Sequence, residues 1–516
     1  MRQSIWRPQH KSQNLVATIA LLVGWLMVET YLLAHHVMFR DEVRALSFAL
    51  RGDNVIAMLK SLHGEGHPAI WYLLLRAAHT IVPSPVVLPV VAFVAALCAM
   101  MLLVLRSPFR PLTLALIMFG SFAAYEYSVM ARNYGISMVP LFLFAIFYSR
   151  YKSHGVVLGV LLFVLANTNT FAALLTGPLL LFWLLDVLFD KGLRWTEELK
   201  IFFLNAAIAA VGAVVCFLTI YPLANDAAVV SQPPLQLAIA VLNGILFPAG
   251  RIGLHLPRQP AVMLFLSSLG LFASTFGLRH RPACMLSALA ATVLMSAFFS
   301  SLSTTYPGLY RHSALFLVYL ITMYWIAGAP PAPIHAAKHD AWYFLAPIGM
   351  LLFIALLALQ FRPTVTYLLH PRGESQSRAF AELVKRTPAF KNAIIIADPD
   401  YLVEALPYYI PNETYLVRSG RKGTMPMFTR HDHIRLSLSD LLATASSIAR
   451  TDKKPVLILI NAKLDGHEPA REINEGYNWK FLVTPAMIAE FKKQTKLIGK
   501  FPAVNGDEFF DAYLFL

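Results

Sequence analysis

Read for hydropathy alone, the chain alternates between long apolar runs and short polar breaks for its first 361 residues, and then changes character. The apolar segments are Asn14–Ala34, His67–Val82, Val86–Leu105, Pro111–Met130, Tyr134–Tyr148, Gly155–Asn167, Thr170–Phe189, Ile201–Leu223, Ala261–Gly277, Ala283–Ser301, Ser313–Gly328 and Ala341–Phe361. Several reach the ~20 residues that a helix needs to cross a hydrocarbon core about 30 Å thick. This repetition predicts an α-helical polytopic membrane protein, with residues 1–361 as its transmembrane domain and 35–66 as a polar loop between the first two segments.

After Phe361 short apolar runs replace long ones. Ala393–Ala397, Thr414–Val417, Val456–Ile460 and Ala512–Leu516 read as strands, and Ser377–Arg386, Leu438–Ala449 and Pro485–Gln494 as helices. The expectation for 362–516 is a small C-terminal α/β domain. Asp398-Pro-Asp400 reads either as a strand-to-helix turn with a capping Asp or as a ligand site at a strand's carboxyl end. No glycine-rich phosphate loop follows it.

Within 35–66, Val43, Leu46 and Leu50, then Ile56, Leu59 and Leu62, recur at helical spacing. Two short amphipathic helices are predicted, over Asp41–Arg51 and Asn54–His63, lying in the membrane interface with apolar faces toward lipid. Asp41 and Glu42 then sit at the positive end of the first.

Composition agrees with the pattern: the chain is 57% hydrophobic and only 14% charged. A net charge of +14 would suggest nucleic acid in a soluble protein, but here Lys and Arg gather in short loops between apolar runs. That points to membrane lipids as partners and gives no reason to expect nucleic acid. Cys98, Cys216 and Cys284 fall inside apolar runs and supply neither a disulfide framework nor a metal cluster. The basic stretch Met1–Lys11 leads into a run longer than a signal core, so Asn14–Ala34 is expected as a retained first span.

Placing the basic clusters on the cytoplasmic side requires that the two segments between His67 and Leu105 make one net crossing. His67–Val82, short and carrying Arg76 and His79, is the one expected to fall short. The result is about eleven net crossings, a cytoplasmic N-terminus, and an outer, in a bacterium periplasmic, face holding loop 35–66 and the tail. Ala131–Tyr134, Asn167–Thr170, a long loop Ala224–Pro260 and Ser303–His312 join them there.

That face gathers the candidate chemistry. Asp41 or Glu42 would serve as a general base beside an apolar cavity, or as helix caps. In His63-Gly-Glu65-Gly-His67-Pro, glycines allow close backbone approach; the polar groups would ligate a metal or bind phosphate, or the stretch is a helix stop before a proline-led helix. Arg132 and Tyr134 end a span, where Arg would clamp a phosphate or snorkel. Tyr306-Pro-Gly-Leu-Tyr310-Arg311-His312 would offer a phosphate a cation and a helix start, or form part of an aromatic belt. Glu29, Arg76 and Asp186 lie in or near apolar runs, where charge is expensive.

Taken together, the Asp41-Glu42 pair in the first outer loop, the Gly66-His67-Pro68-Ala69-Ile70-Trp71-Tyr72 start of the next helix, the Ala131-Arg132-Asn133-Tyr134 element and the many-span layout resemble the GT-C superfamily of glycosyltransferases. The likeness is nearest to the branch of protein O-mannosyltransferases and lipid A aminoarabinose transferases. It covers the N-terminal third and the overall layout. It implies a GT-C-like fold and inverting transfer of a sugar from a polyprenyl-phosphate donor to a glycan, lipid or protein acceptor. On that implication Asp41, with Glu42, is catalytic, and His63, Glu65, His67, Arg132, Tyr134, Tyr310, Arg311 and His312 bind the donor phosphate and substrate. Ala69 stands where the family pattern has a second proline, and His63 and His67 replace other polar groups. The sugar, the acceptor and any divalent metal are left open. The alternative is a polyprenyl-lipid or glycolipid transporter, although the chain shows no internal repeat and its polar residues gather on one face instead of at the midplane.

Overall fold

The computed structural model describes residues 14–221, 233–302, 310–328, 345–370, 373–429, 431–464, 469–476, 478–502 and 506–516. Helix α1 (Asn14–His35) leads into short helices α2 (Arg40–Ala49), α3 (Val55–Ser61) and α4 (Ile70–Ile81), then the long α5 (Val87–Arg106). Next come α6 (Pro111–Met118), α7 (Met138–Tyr151), α8 (Val157–Ala166), α9 (Thr170–Lys191) and α10 (Glu197–Ile220). The bundle is completed by α11 (Pro234–Leu246), α12 (Ala261–Thr275), α13 (Pro282–Leu302), α14 (Tyr310–Gly328), α15 (Leu345–Leu359) and its continuation α16 (Phe361–Leu369). Among the described residues, seven stretches are long and apolar enough to cross a membrane: α1, α5, α9, α10, α12 with the turn after it, α13 and the α15–α16 pair.

Helix α14 is of another kind. Every residue from Arg311 to Ala327 is buried, and α7, α9 and α13 pack around it. A helix apolar on all sides belongs inside a bundle, so α14 is the axis on which the cavity-bearing end is built. Helix α4, at twelve residues, is only about 18 Å long. Its Arg76 turns back to donate to the carbonyls of Ala49, Arg51 and Gly52, closing the end of α2.

Three expectations are corrected by the fold. The predicted single span Pro111–Met130 breaks: α6 stops at Met118, a π-helical turn follows at Phe122–Glu126, and residues 120–138 are buried. Irregular backbone between apolar helices is tolerated where protein buries it, and here the Ser121 N–H reaches the Gln360 carbonyl at 2.8 Å. Gly135 permits the return path, since a Cβ there would lie 2.1 Å from the Tyr127 carbonyl oxygen. The predicted loop Ala224–Pro260 contains α11, packed on α13 where Gly244 meets Ser300; its apolar run is too short to span, which hid it. Finally, the apolar face of α2 packs on protein. Val43, Leu46 and Phe48 join Trp71, Tyr72, Leu88 and Ala405 in one core, while Ile56 of α3 remains exposed.

The C-terminal domain begins with α17 (Ser377–Arg386) and carries a six-stranded mixed sheet of β1 (Ile394–Asp398), β2 (Thr414–Leu416), β3 (Arg421–Lys422), β5 (Val456–Ile460), β8 (Thr495–Phe501) and β9 (Phe510–Phe515), ordered 3-2-1-5-9-8. A second sheet orders β4 (Arg435–Ser437), β7 (Lys480–Val483) and β6 (Arg471–Asn474). Strand β1 pairs in parallel with β5, with α18 (Leu438–Asp452) between them in the chain and α19 (Pro485–Gln494) packed on α18. Asp398-Pro-Asp400 forms a buried knot: Arg418 Nη2 donates to Asp398 Oδ1 at 2.8 Å and to Glu475 Oε2 at 2.9 Å, while Asp400 accepts the Val417 and Arg418 N–H groups. The knot joins the two sheets.

Candidate active site

Helix α2 starts without a side-chain N-cap. Glu42, its third residue, reaches back instead and accepts from the Phe39 N–H at 3.1 Å. The same carboxylate takes His36 Nε2 at 2.9 Å and the Ala131 N–H at 2.6 Å. Glu42 is fully buried and does not line the cavity. Unlike Asp41, then, the Glu42 expected to share the catalytic role has its oxygens engaged in binding α2 to His36 and the Ala131–Tyr134 turn.

Asp41, one residue earlier, faces the other way. It opens into a cavity of about 380 Å³ lined by α2, the Gly64–His67 loop, Arg132, Tyr134, the start of α9, His312 and the C-terminal domain's Glu404 and Phe428. Its side chain is 31% exposed, and its nearest cation, Arg40, stays 3.7 Å away. No described residue donates a hydrogen bond to it. Burial alone would raise Asp41, but the guanidinium groups of Arg132, Arg40, Arg311 and Arg44 outweigh burial and hold it well below the usual carboxylate range. Asp41 is therefore an ionised carboxylate with open lone pairs.

The other carboxyls of the cavity, Glu65 and Glu404, each have one oxygen held by Arg44. Arg44 donates to Glu65 Oε2 at 2.9 Å, to Glu404 Oε1 at 3.1 Å and to the Pro426 carbonyl. Arg40 is clamped by Asp507 at 2.6 and 2.9 Å, its N–H by Glu508 Oε1 at 2.7 Å. With Tyr409 donating to the Met38 carbonyl and Arg378 to the His36 carbonyl, these bonds seat the C-terminal domain over the loop.

Beside Asp41, on the same cavity, stands Arg132. It donates to the Asp41 backbone carbonyl and to His67 Nε2, the latter at 3.0 Å, while its Nε is buried without a partner. Burial, then Arg132, pushes the His67 imidazole down to about 3, so it is neutral. Tyr134 lies edge-on to His67 and to His312, and His312 stacks on Phe171. Phe171, Phe298 and Ile220 give this part of the cavity an apolar wall.

Of the remaining predicted residues, Arg311 stands behind the cavity. Its Nη2 meets Glu374 at 3.3 Å and its Nε lies 3.6 Å from Glu126, while Nε and Nη1 make no hydrogen bond. Tyr310 does not reach the cavity; its hydroxyl accepts from Ser121 and donates to Gln360. His63 is not among the residues that line the cavity, whereas His67 is. Residues 303–309, which include Tyr306, lie outside the described residues. Among the described residues no group of three His, Cys, Asp or Glu side chains could hold a metal ion.

Sequence reasoning missed Arg40, Arg44, Glu404 and Phe428. The arginines carry a signal, since Arg40 and Arg44 sit four apart and share a face of α2; Glu404 and Phe428 carry none near the motif. At the far end of α9, about 24 Å from Thr170, Asp186 is held by Tyr148, Lys152 and Arg281. Glu29 is buried and accepts from Ser128. Both serve helix packing. The chain matches no known protein family and no curated protein.

Proposed function

We propose that the protein is a membrane-embedded inverting glycosyltransferase that moves a sugar from a polyprenyl-phosphate donor to a glycan, lipid or protein acceptor. The observation that carries this reading is that one cavity is lined by both Asp41, ionised and without a hydrogen-bond donor, and Arg132, which keeps an unused N–H. A base and an anion seat on one cavity with an apolar wall suit a reaction whose leaving group is a lipid phosphate.

In the proposed step Asp41 takes the proton of the acceptor's hydroxyl or amine. The acceptor heteroatom bonds to the anomeric carbon, and the bond from that carbon to the phosphate oxygen breaks with its electron pair on the polyprenyl phosphate. Attack from the side opposite the leaving group inverts the configuration. Arg132, aided by Arg311 and the Tyr134 hydroxyl, offsets the charge developing on the phosphate. The same arginines hold Asp41 down in the resting site. A bound phosphate would cancel part of their field and raise the proton affinity of Asp41, so the base gains strength when the donor is seated.

The reading includes about eleven crossings, a cytoplasmic N-terminus and an outer C-terminal domain. The seven long apolar helices and the far-end cluster of Lys152, Arg281 and Asp186 support it. The test offers purified full-length protein a panel of short-chain polyprenyl-phosphate sugars with lipid A, glycan and protein acceptors. Release of polyprenyl phosphate with a glycosylated product is expected. A donor that is bound but never consumed, and that crosses vesicle membranes, would instead favour a transporter.

A further inference from the structure

Glu404 enters the cavity wall from the C-terminal domain, just after the helical turn Asp400–Val403. One oxygen is fixed, with Arg44 donating to Oε1 at 3.1 Å. The other, Oε2, is buried without a hydrogen-bond partner on a side chain only 2% exposed. A buried acceptor left unsatisfied is costly, and native structures keep few of them without a use. Docking of the domain does not require it, since Arg40 with Asp507 and Tyr409 with Met38 already fasten the two parts.

We propose that Glu404 contacts substrate: Oε2 accepts a hydrogen bond from a hydroxyl or amino group of the transferred sugar, which makes the C-terminal domain one wall of the site and a selector of the sugar. The ligand group is a hydrogen-bond donor and not the phosphate, because a carboxylate repels phosphate and the unused cationic N–H groups belong to Arg132 and Arg311. Burial, only partly opposed by Arg44, pushes the Glu404 carboxyl up to about 7. It therefore gains most from a donor that settles it in the ionised form, an ammonium above all. The choice of a sugar rests on the transferase reading; the orphan oxygen does not.

The test has two arms. Glu404→Gln keeps an oxygen for Arg44 and replaces the free acceptor with an N–H donor, reversing the polarity offered to the ligand. In the full-length protein, kcat/KM for a polyprenyl-phosphate sugar is expected to fall about 10- to 100-fold. Binding of polyprenyl phosphate without a sugar, and thermal unfolding, should not change. If the native protein transfers sugar and Glu404→Gln matches it, the proposal is overturned and the transferase stands.

If the native protein consumes no donor, the transferase reading fails and the second arm decides. Glu404→Cys is made in a Cys98→Ser background, since the other cysteines are buried, and treated with a small cationic methanethiosulfonate. Labelling at residue 404 in protein with native melting behaviour supports a position open to a ligand. A folded variant that resists labelling overturns it.

Discussion

Arg132 Nη2 lies 3.0 Å from His67 Nε2, and because a guanidinium only donates, the imidazole must accept there and carry its proton on Nδ1. His67 thus works as a neutral acceptor that aims Arg132. Its value depressed to about 3, against an ordinary ~6.5, means the unfolded chain binds the extra proton between those limits. The stability it contributes is present above pH ~6.5 and is lost as the pH falls toward 3. In thermal unfolding at pH 7, 6 and 5, the advantage of native protein over His67→Gln should shrink with acid, by up to about 1.4 kcal/mol per pH unit below 6.5. An advantage that grew with acid would mean a charged imidazole.

Arg132 is expected to be irreplaceable by lysine. An ammonium has three N–H groups, but on one atom, and lacks the planar fork by which separate Arg132 nitrogens hold the Asp41 carbonyl and His67 and leave Nε for a phosphate. Arg132→Lys should weaken binding of short-chain polyprenyl phosphate about 10- to 100-fold by equilibrium titration. Unchanged affinity would remove Arg132 from the anion seat.

Glu42 should behave as a structural residue. Truncation in Glu42→Ala leaves the Phe39 and Ala131 N–H groups buried without an acceptor, at about 1–3 kcal/mol each. Chemical or thermal unfolding should show a loss of about 2–6 kcal/mol, with Glu42→Gln losing less because it keeps one acceptor oxygen. A Glu42→Ala protein of native stability but no activity would return Glu42 to the chemistry.

Glu508 gives a pH signature of opposite sign. Burial pushes its carboxyl up to about 8, although Arg40 and its N–H oppose this. A raised acid contributes stability that is full below its unfolded value, near 4.3, and is lost as the pH climbs through 8. The stability of Glu508→Gln relative to native protein should therefore rise between pH ~4.5 and 8 and level off above. A difference that does not vary with pH would place the ionisation elsewhere.

Much of this molecule is legible in its sequence because apolar periodicity is local. The helices over Asn14–His35, Val87–Arg106 and Thr170–Lys191, and the elements Ser377–Arg386, Val456–Ile460 and Pro485–Gln494, fall where hydropathy places them. Edge strands such as Arg421–Lys422 and Arg471–Asn474 escape notice because their residues are polar and partly exposed. The break after Met118 was hidden because apolar residues continue through it; only burial shows that protein, not lipid, surrounds that backbone.

The cavity divides in the same way. Asp41, Glu65, His67, Arg132, Tyr134 and His312 stand in short motifs and all line one space. Glu42 stands next to the lining Asp41, and Tyr310 two residues before the lining His312, yet neither lines the space, a distinction that depends on side-chain direction. Glu404 comes from 360 residues beyond its partner Arg44, and no local pattern anticipates such a contact.

The most direct measurement is single-turnover transfer from a polyprenyl-phosphate sugar by native and Asp41→Asn protein, with donor affinity measured on the same preparations. Loss of general-base catalysis should slow transfer about 10²- to 10⁴-fold, while the donor still binds, because in the proposed step Asp41 meets the acceptor and not the phosphate. An Asp41→Asn protein that transfers at the native rate would contradict the account and leave Asp41 as a residue of the α2 start.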